Sequence, residues 1–155
     1  MKKSIVYLLL LCLPVWAFSQ HEETRIKHYN VKDKLAIQGY DPVAYFVQNK
    51  AIKGKKEFNL SYESVTYYFS SPDNKASFMR EPSAYEPQYG GWCAFAMGDS
   101  GKKVGIDPKT FKIINGKLYL FYNANFNNTL KSWNKDEARL KANSDRNWVK
   151  FFKSK

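Results

Sequence analysis

Phe111-Lys-Ile-Ile-Asn-Gly-Lys-Leu-Tyr-Leu-Phe-Tyr122 is the stretch whose reading decides the fold. Apolar residues flank Asn115-Gly116, the pair that most readily adopts the positive φ angles of a two-residue hairpin turn. In that register Ile113 faces Leu118 and Phe111 faces Leu120, so the hairpin 111–122 has an apolar face. Such a face must be covered, and the flanking sequence offers the covering elements.

Upstream, Phe58, Leu60 and Tyr62 alternate, as do Val65, Tyr67 and Phe69, which predicts two short strands joined near Glu63-Ser64. Ser71-Pro72 couples a capping side chain to a proline suited to the first helical turn, opening a helix that carries Ala76 and Phe78 and stops before Pro82. Asp41-Pro42 gives the same signal ahead of Val43, Ala44, Tyr45 and Phe46. Gly90-Gly91 permits a tight turn. Trp92 to Met97 then reads as a buried strand with Cys93, Phe95 and Met97 on one side. Downstream, Phe126, Leu130 and Trp133 recur at helical spacing, and Leu140, Trp148 and Phe151 form a second stripe. The class is α+β: a small antiparallel sheet covered by helices, with a C-terminal helical segment.

The N-terminus reads as an export signal. Lys2 and Lys3 precede a mostly apolar run from Ile5 to Trp16, and Ala17-Phe18-Ser19 offers small residues for cleavage. That run is short of the roughly 20 residues a spanning helix needs. A lipoprotein signal on Cys12 is disfavoured by Leu11, where a small residue is wanted. The expected organisation is a signal peptide over 1–19, an N-terminal arm over 20–34 and one domain over 35–152, with no transmembrane segment after cleavage and a periplasmic or secreted location. Loss of Lys2 and Lys3 lowers the formal charge from +11 to +9. The lysines are scattered without an aromatic–basic recognition pattern, so nucleic acid is not expected as a partner.

Several of these segments together resemble the YHS domain family, in particular its exported single-domain bacterial branch. They are Gly39-Tyr40-Asp41-Pro42-Val43-Ala44-Tyr45-Phe46, Tyr67-Tyr68-Phe69-Ser70-Ser71, Tyr85-Glu86-Pro87-Gln88-Tyr89-Gly90-Gly91-Trp92-Cys93-Ala94 and Asn115-Gly116-Lys117-Leu118-Tyr119-Leu120, with Phe78 and Pro82 between. The likeness spans roughly Leu35 to Phe152 and rests on the order and spacing of the segments. It implies metal binding. Metal-associated members carry cysteine in their Asp-Pro-Val-Cys segment and again after the Tyr-Phe pair. This chain has Ala44 in the first place, and Ser70 and Asp73 around the second. Exported relatives resemble it in keeping a reactive-type residue in the Gly-Gly-x-Cys-Ala segment, some as selenocysteine, which implies redox or soft-metal chemistry there.

Cys93 is the one cysteine outside the signal, so no intramolecular disulfide is expected after cleavage. It has three readings: a small core residue, a redox thiol, or a soft-metal ligand, copper first. Met97 is the candidate second ligand, although on an extended strand it stands about 13 Å away. His21 and His28 lie in the arm, where a Gln20-His21 terminus offers a weak Cu(II) chelate. Zinc is not expected, because four N or S ligands cannot be assembled. Asp41 and Asp107 read as cap and turn residues. Tyr40, Tyr45, Tyr67, Tyr68 and Tyr89 are candidates for an aromatic wall beside Cys93, with core packing as the plainer reading. No histidine sits in the patterned body, so no Ser/His/Asp set forms. The expectation is a non-enzymatic exported binding module whose ligand is a soft metal ion, copper first, anchored at Cys93 with Met97 as the second ligand, or else a small ligand. The alternatives are an envelope thiol redox protein and a purely structural or protein-interaction module.

Overall fold

The computed structural model describes residues 23–153. The expected signal, together with Cys12, Gln20 and His21, lies outside the described residues. Residues 23–28 are helical (α1) and lead into β1 (Val31–Lys32) and β2 (Leu35–Ala36). A 3-10 turn (Ile37–Gly39), α2 (Ala44–Val47), β3 (Lys55–Tyr62) and β4 (Val65–Phe69) follow. Next come α3 (Pro72–Arg80), α4 (Pro82–Tyr85), a second 3-10 turn (Gln88–Gly91) and α5 (Ala94–Asp99). The chain continues through β5 (Asp107–Ile114), β6 (Lys117–Phe121), the short pair β7 (Asn123–Ala124) and β8 (Asn127–Asn128), α6 (Thr129–Trp133) and α7 (Glu137–Val149). The fold is α+β, as the hairpin and its flanks predict.

Strands β1 to β4 form one sheet in the order β1-β2-β4-β3, in which β2 runs parallel to β4 and the other pairs are antiparallel. The turn between β3 and β4 falls at Glu63-Ser64, as expected, with both residues at positive φ. Hairpin β5–β6 has the predicted register, Ile113 opposite Leu118 and Phe111 opposite Leu120, across a turn with Asn115 at φ 48° and Gly116 at φ 69°.

The hairpin differs from expectation in being covered on both faces. Leu118 and Leu120 belong to a core shared with Val43, Tyr45, Val65, Tyr67, Phe69 and Phe78. Tyr119 and Phe121, pointing the other way, belong to a second core with Met97, Trp133 and Leu140. Strand β6 is therefore a wall between two cores, one against the four-stranded sheet and one against the C-terminal helices. Each fully buried side chain of this size contributes about 1.5–3 kcal/mol, so both faces matter to stability.

The segment Trp92 to Met97, expected as a strand, is helical from Ala94 onward. Short apolar runs do not separate the two states by pattern alone, and Ala94, Phe95, Ala96 and Met97 include no β-branched residue. Helix α7 decides the outcome. Ser144 donates to the carbonyl of Ala94, Asn143 to that of Gly98 and Asn147 to that of Met97. These bonds tie α7 to carbonyls at both ends of α5, and that of Gly98 lies in the last turn, where a helix leaves its carbonyls open. Gly98 permits the approach: a Cβ there would lie 2.3 Å from the Leu140 carbonyl oxygen.

Phe126 also departs from the expected pattern. It does not share the helical stripe of Leu130 and Trp133 but sits exposed, at φ 62°, in the turn between β7 and β8. Residues 23–34 pack onto the domain: Arg25 is buried, and Asn30 bonds to the carbonyls of Gly90 and Gly91.

Candidate functional site

Two left-handed turns position the chemistry-bearing segments. Ile37, Gln38 and Gly39 have φ of 50°, 53° and 79°, while Tyr89, Gly90 and Gly91 have 54°, 58° and 82°. Each turn is followed by an extended aromatic residue, Tyr40 or Trp92. A short helix then follows in each case. Positive φ at a β-branched residue such as Ile37 costs roughly 1–2 kcal/mol, and burial of its side chain offsets this. Gly90 is required for a second reason, since a Cβ there would meet Tyr29 and Trp148 at 2.9 Å.

Cys93 caps α5 by position and is fully buried. Its sulfur accepts the Tyr122 backbone N–H at 3.3 Å and lies 3.4 Å from Thr129 Oγ1. The Thr129 hydroxyl donates its single proton to the Tyr122 carbonyl at 2.8 Å. The thiol must therefore be the donor to Thr129. A closed ring results: the Tyr122 N–H donates to sulfur, S–H donates to the Thr129 hydroxyl, and that hydroxyl donates back to the Tyr122 carbonyl. The ring joins the start of α5, the end of β6 and the start of α6, and it fits a protonated thiol.

Met97 is also fully buried, and its N–H donates to the Cys93 carbonyl at 3.0 Å. The two residues are thus one helical turn apart, about 6 Å along the axis, rather than the extended-strand distance. They pack in different cores, Cys93 beside Leu118 and Leu120, Met97 beside Tyr119 and Phe121.

Ala44 and Ser70 both hydrogen-bond to Asp41. This carboxylate is fully buried. Oδ1 accepts from the backbone N–H of Val43 and Ala44, at 2.8 and 3.2 Å. Oδ2 accepts from the backbone N–H and hydroxyl of Ser70 and from the Asn74 amide, at 2.7, 2.6 and 2.7 Å. The expected cap role is present, and the second oxygen adds a tie between the end of β4 and α3. Five donors occupy the carboxylate, so this donor set does not fit a resident metal. Asp107 behaves as a turn residue, accepting from Lys109 N–H and the Thr110 hydroxyl.

The tyrosines scatter. Tyr45 and Tyr67 share the core of Cys93, Tyr40 packs at its margin and Tyr89 lies in the second core. Tyr68 instead lines an open cleft of about 710 Å³ with Asn30, Lys32, Asp33, Leu35 and Gln38. A smaller cleft of about 170 Å³ lies over Tyr29, Glu86, Gln88, Gly90 and Trp148. Cys93 and Met97 line neither cleft.

Beside the smaller cleft is a part-buried polar cluster. Arg25 pairs with Glu86 at 2.5 Å and Glu63 at 3.1 Å, and its guanidinium lies 4.4 Å from the Tyr29 ring centroid. Tyr67 donates to the same Glu86 oxygen. Burial, and next the Glu86 charge, push the Tyr29 phenol up to about 12, and the same causes hold Tyr67 well above its ordinary range. The sequence reading missed Arg25, Glu86 and Thr129, because each is joined to its partner by tertiary contact alone. His28 is half-buried, with its ring against Phe151 and Phe152 and its Nδ1 facing Lys103.

Among the described residues, no group of three or more His, Cys, Asp or Glu is placed to hold a metal ion. None of their helices is long and apolar enough to cross a membrane. No protein-family model, curated protein or solved structure matches the chain.

Proposed function

We propose that this chain is an exported, non-enzymatic binding module of the YHS type, in which Cys93 works as a structural thiol. The observation that carries the reading is the closed ring through Tyr122, Cys93 and Thr129, around a sulfur with no exposed surface. A redox or nucleophilic thiol works as an accessible thiolate, whereas this sulfur donates its proton and accepts one N–H. The ligand is then taken at the surface, where the two clefts gather amides, phenols and both signs of charge. Export follows from the pattern of residues 1–19, and mass spectrometry of the mature protein would place its first residue at Gln20.

A second reading has one observation in its favour. The helical turn from Cys93 to Met97 brings these two residues closer along the backbone than a strand would, and both carry soft sulfur donors. Cu(I) held between them would displace the thiol proton and open the contact with Thr129. Titration with Cu(I) against a competing chelator, comparing wild type with Cys93→Ser and Met97→Leu, separates the readings. The structural-thiol reading predicts the same weak uptake in all three proteins. One equivalent in wild type that disappears in Cys93→Ser would overturn it in favour of copper.

A further inference from the structure

One face of the molecule gathers like charges and rings. Lys103 Nζ lies 3.0 Å from His28 Nδ1 and 3.5 Å from the Lys27 carbonyl oxygen. An ammonium only donates, so Nδ1 is the acceptor and the neutral imidazole carries its proton on Nε2. The same ammonium stands 4.6 Å from the Phe151 ring centroid and 5.9 Å from that of Trp92. Burial first, and then the Lys27 charge, hold Lys103 below the usual lysine range. Lys102 adjoins it in sequence, and Lys150 and Lys153 flank Phe151 and Phe152. Among the described residues, none of these five lysines has a carboxylate within ion-pair distance. Two apolar side chains of the same C-terminal stretch are exposed: Val149 at 49 % and Phe152 at 43 %. The Phe152 ring rests against His28 and Trp148, with centroids 5.2 and 5.0 Å away.

We propose that this face is a docking surface for an anionic phospholipid bilayer, with lipid phosphates received by Lys27, His28, Lys103 and their neighbouring lysines, and Val149 and Phe152 entering the headgroup boundary. The charge complementarity is direct, because clustered lysines without acidic partners repel one another until an anion arrives. The exposed apolar pair selects the source of that anion. A free phosphate would satisfy the ammonium groups and leave Val149 and Phe152 in water, whereas a bilayer uses both kinds of group at once. Each lysine near an anionic leaflet is worth about a fivefold gain in partitioning.

The test uses the protein beginning at residue 20, which carries every described element, and vesicles of phosphatidylcholine with or without phosphatidylglycerol. Co-sedimentation is expected with the anionic vesicles only, and it weakens with salt. Lys150→Glu with Lys153→Glu is expected to lower partitioning by about 25-fold or more, and Phe152→Ser to lower it with an unchanged circular dichroism spectrum. Equal binding to both vesicle types, or none to either, would overturn the proposal. So would an equal loss from Lys55→Glu with Lys56→Glu on edge strand β3, which would assign binding to overall charge. Shifts of the His28 resonances by inorganic phosphate, without vesicle binding, would make the site a free-anion site and not a membrane surface.

Discussion

At the scale of single residues, the hydrogen-bond ring around Cys93 has measurable consequences. Cys93→Ala removes an acceptor and leaves the part-buried Tyr122 N–H without its partner, a cost of about 1–3 kcal/mol plus the lost packing. Cys93→Ser keeps a donor and an acceptor in place and should cost less than the alanine variant, as read from urea unfolding. Asp41 makes a sharper case. Asp41→Asn presents an amide to a site built of five donors, so at least about 2 kcal/mol should be lost. The cap role of Asp41 was legible in Asp-Pro, because an aspartate before a helix-starting proline has few other uses. Its second oxygen was not legible, since Ser70 and Asn74 reach it from roughly thirty residues away, at sequence separations of 29 and 33. Thr129 was hidden for the same reason, being 36 residues from Cys93.

At the scale of elements, the hairpin could be read to the residue, because Asn115-Gly116 fixes its register locally. The α5 segment could not be read, because the groups that make it helical belong to α7. Gly98→Ala tests that dependence. A methyl group 2.3 Å from the Leu140 carbonyl and 2.7 Å from Ser144 Oγ forces the two helices apart, and the variant should lose several kcal/mol where an exposed helical glycine would gain about 1 from the same change. The docking of α1 depends on a different interaction. Arg25→Met leaves Glu86 without its main partner and should cost about 3–5 kcal/mol, while Arg25→Met with Glu86→Met should recover much of the loss. A double-mutant cycle on thermal unfolding measures the coupling, and additive effects would deny the pair its anchoring role.

At the scale of the whole molecule, two cores share one wall, and tyrosines are buried on both sides of it. The phenols of Tyr45, Tyr67 and Tyr89 are raised, each chiefly by burial, and Tyr29 is pushed up to about 12. Each holds its proton more tightly folded than unfolded, where the value is about 10. The stability this contributes is complete below about pH 10 and is lost as pH rises through the folded values. Neutralising lysines over the same range relieves repulsion in a chain of formal charge +11 and acts in the opposite direction. Tyrosinate absorbance separates the two effects: the buried phenols should ionise only together with loss of tertiary circular dichroism. Early ionisation of every phenol in a protein still folded would contradict their burial. The central claim, that Cys93 is a sealed structural thiol, is tested most directly by its labelling rate with a thiol reagent across a urea series. The rate should be very low in the native protein and should rise in step with the fraction globally unfolded. Labelling of the native protein near neutral pH at the rate of a free thiol would contradict the account.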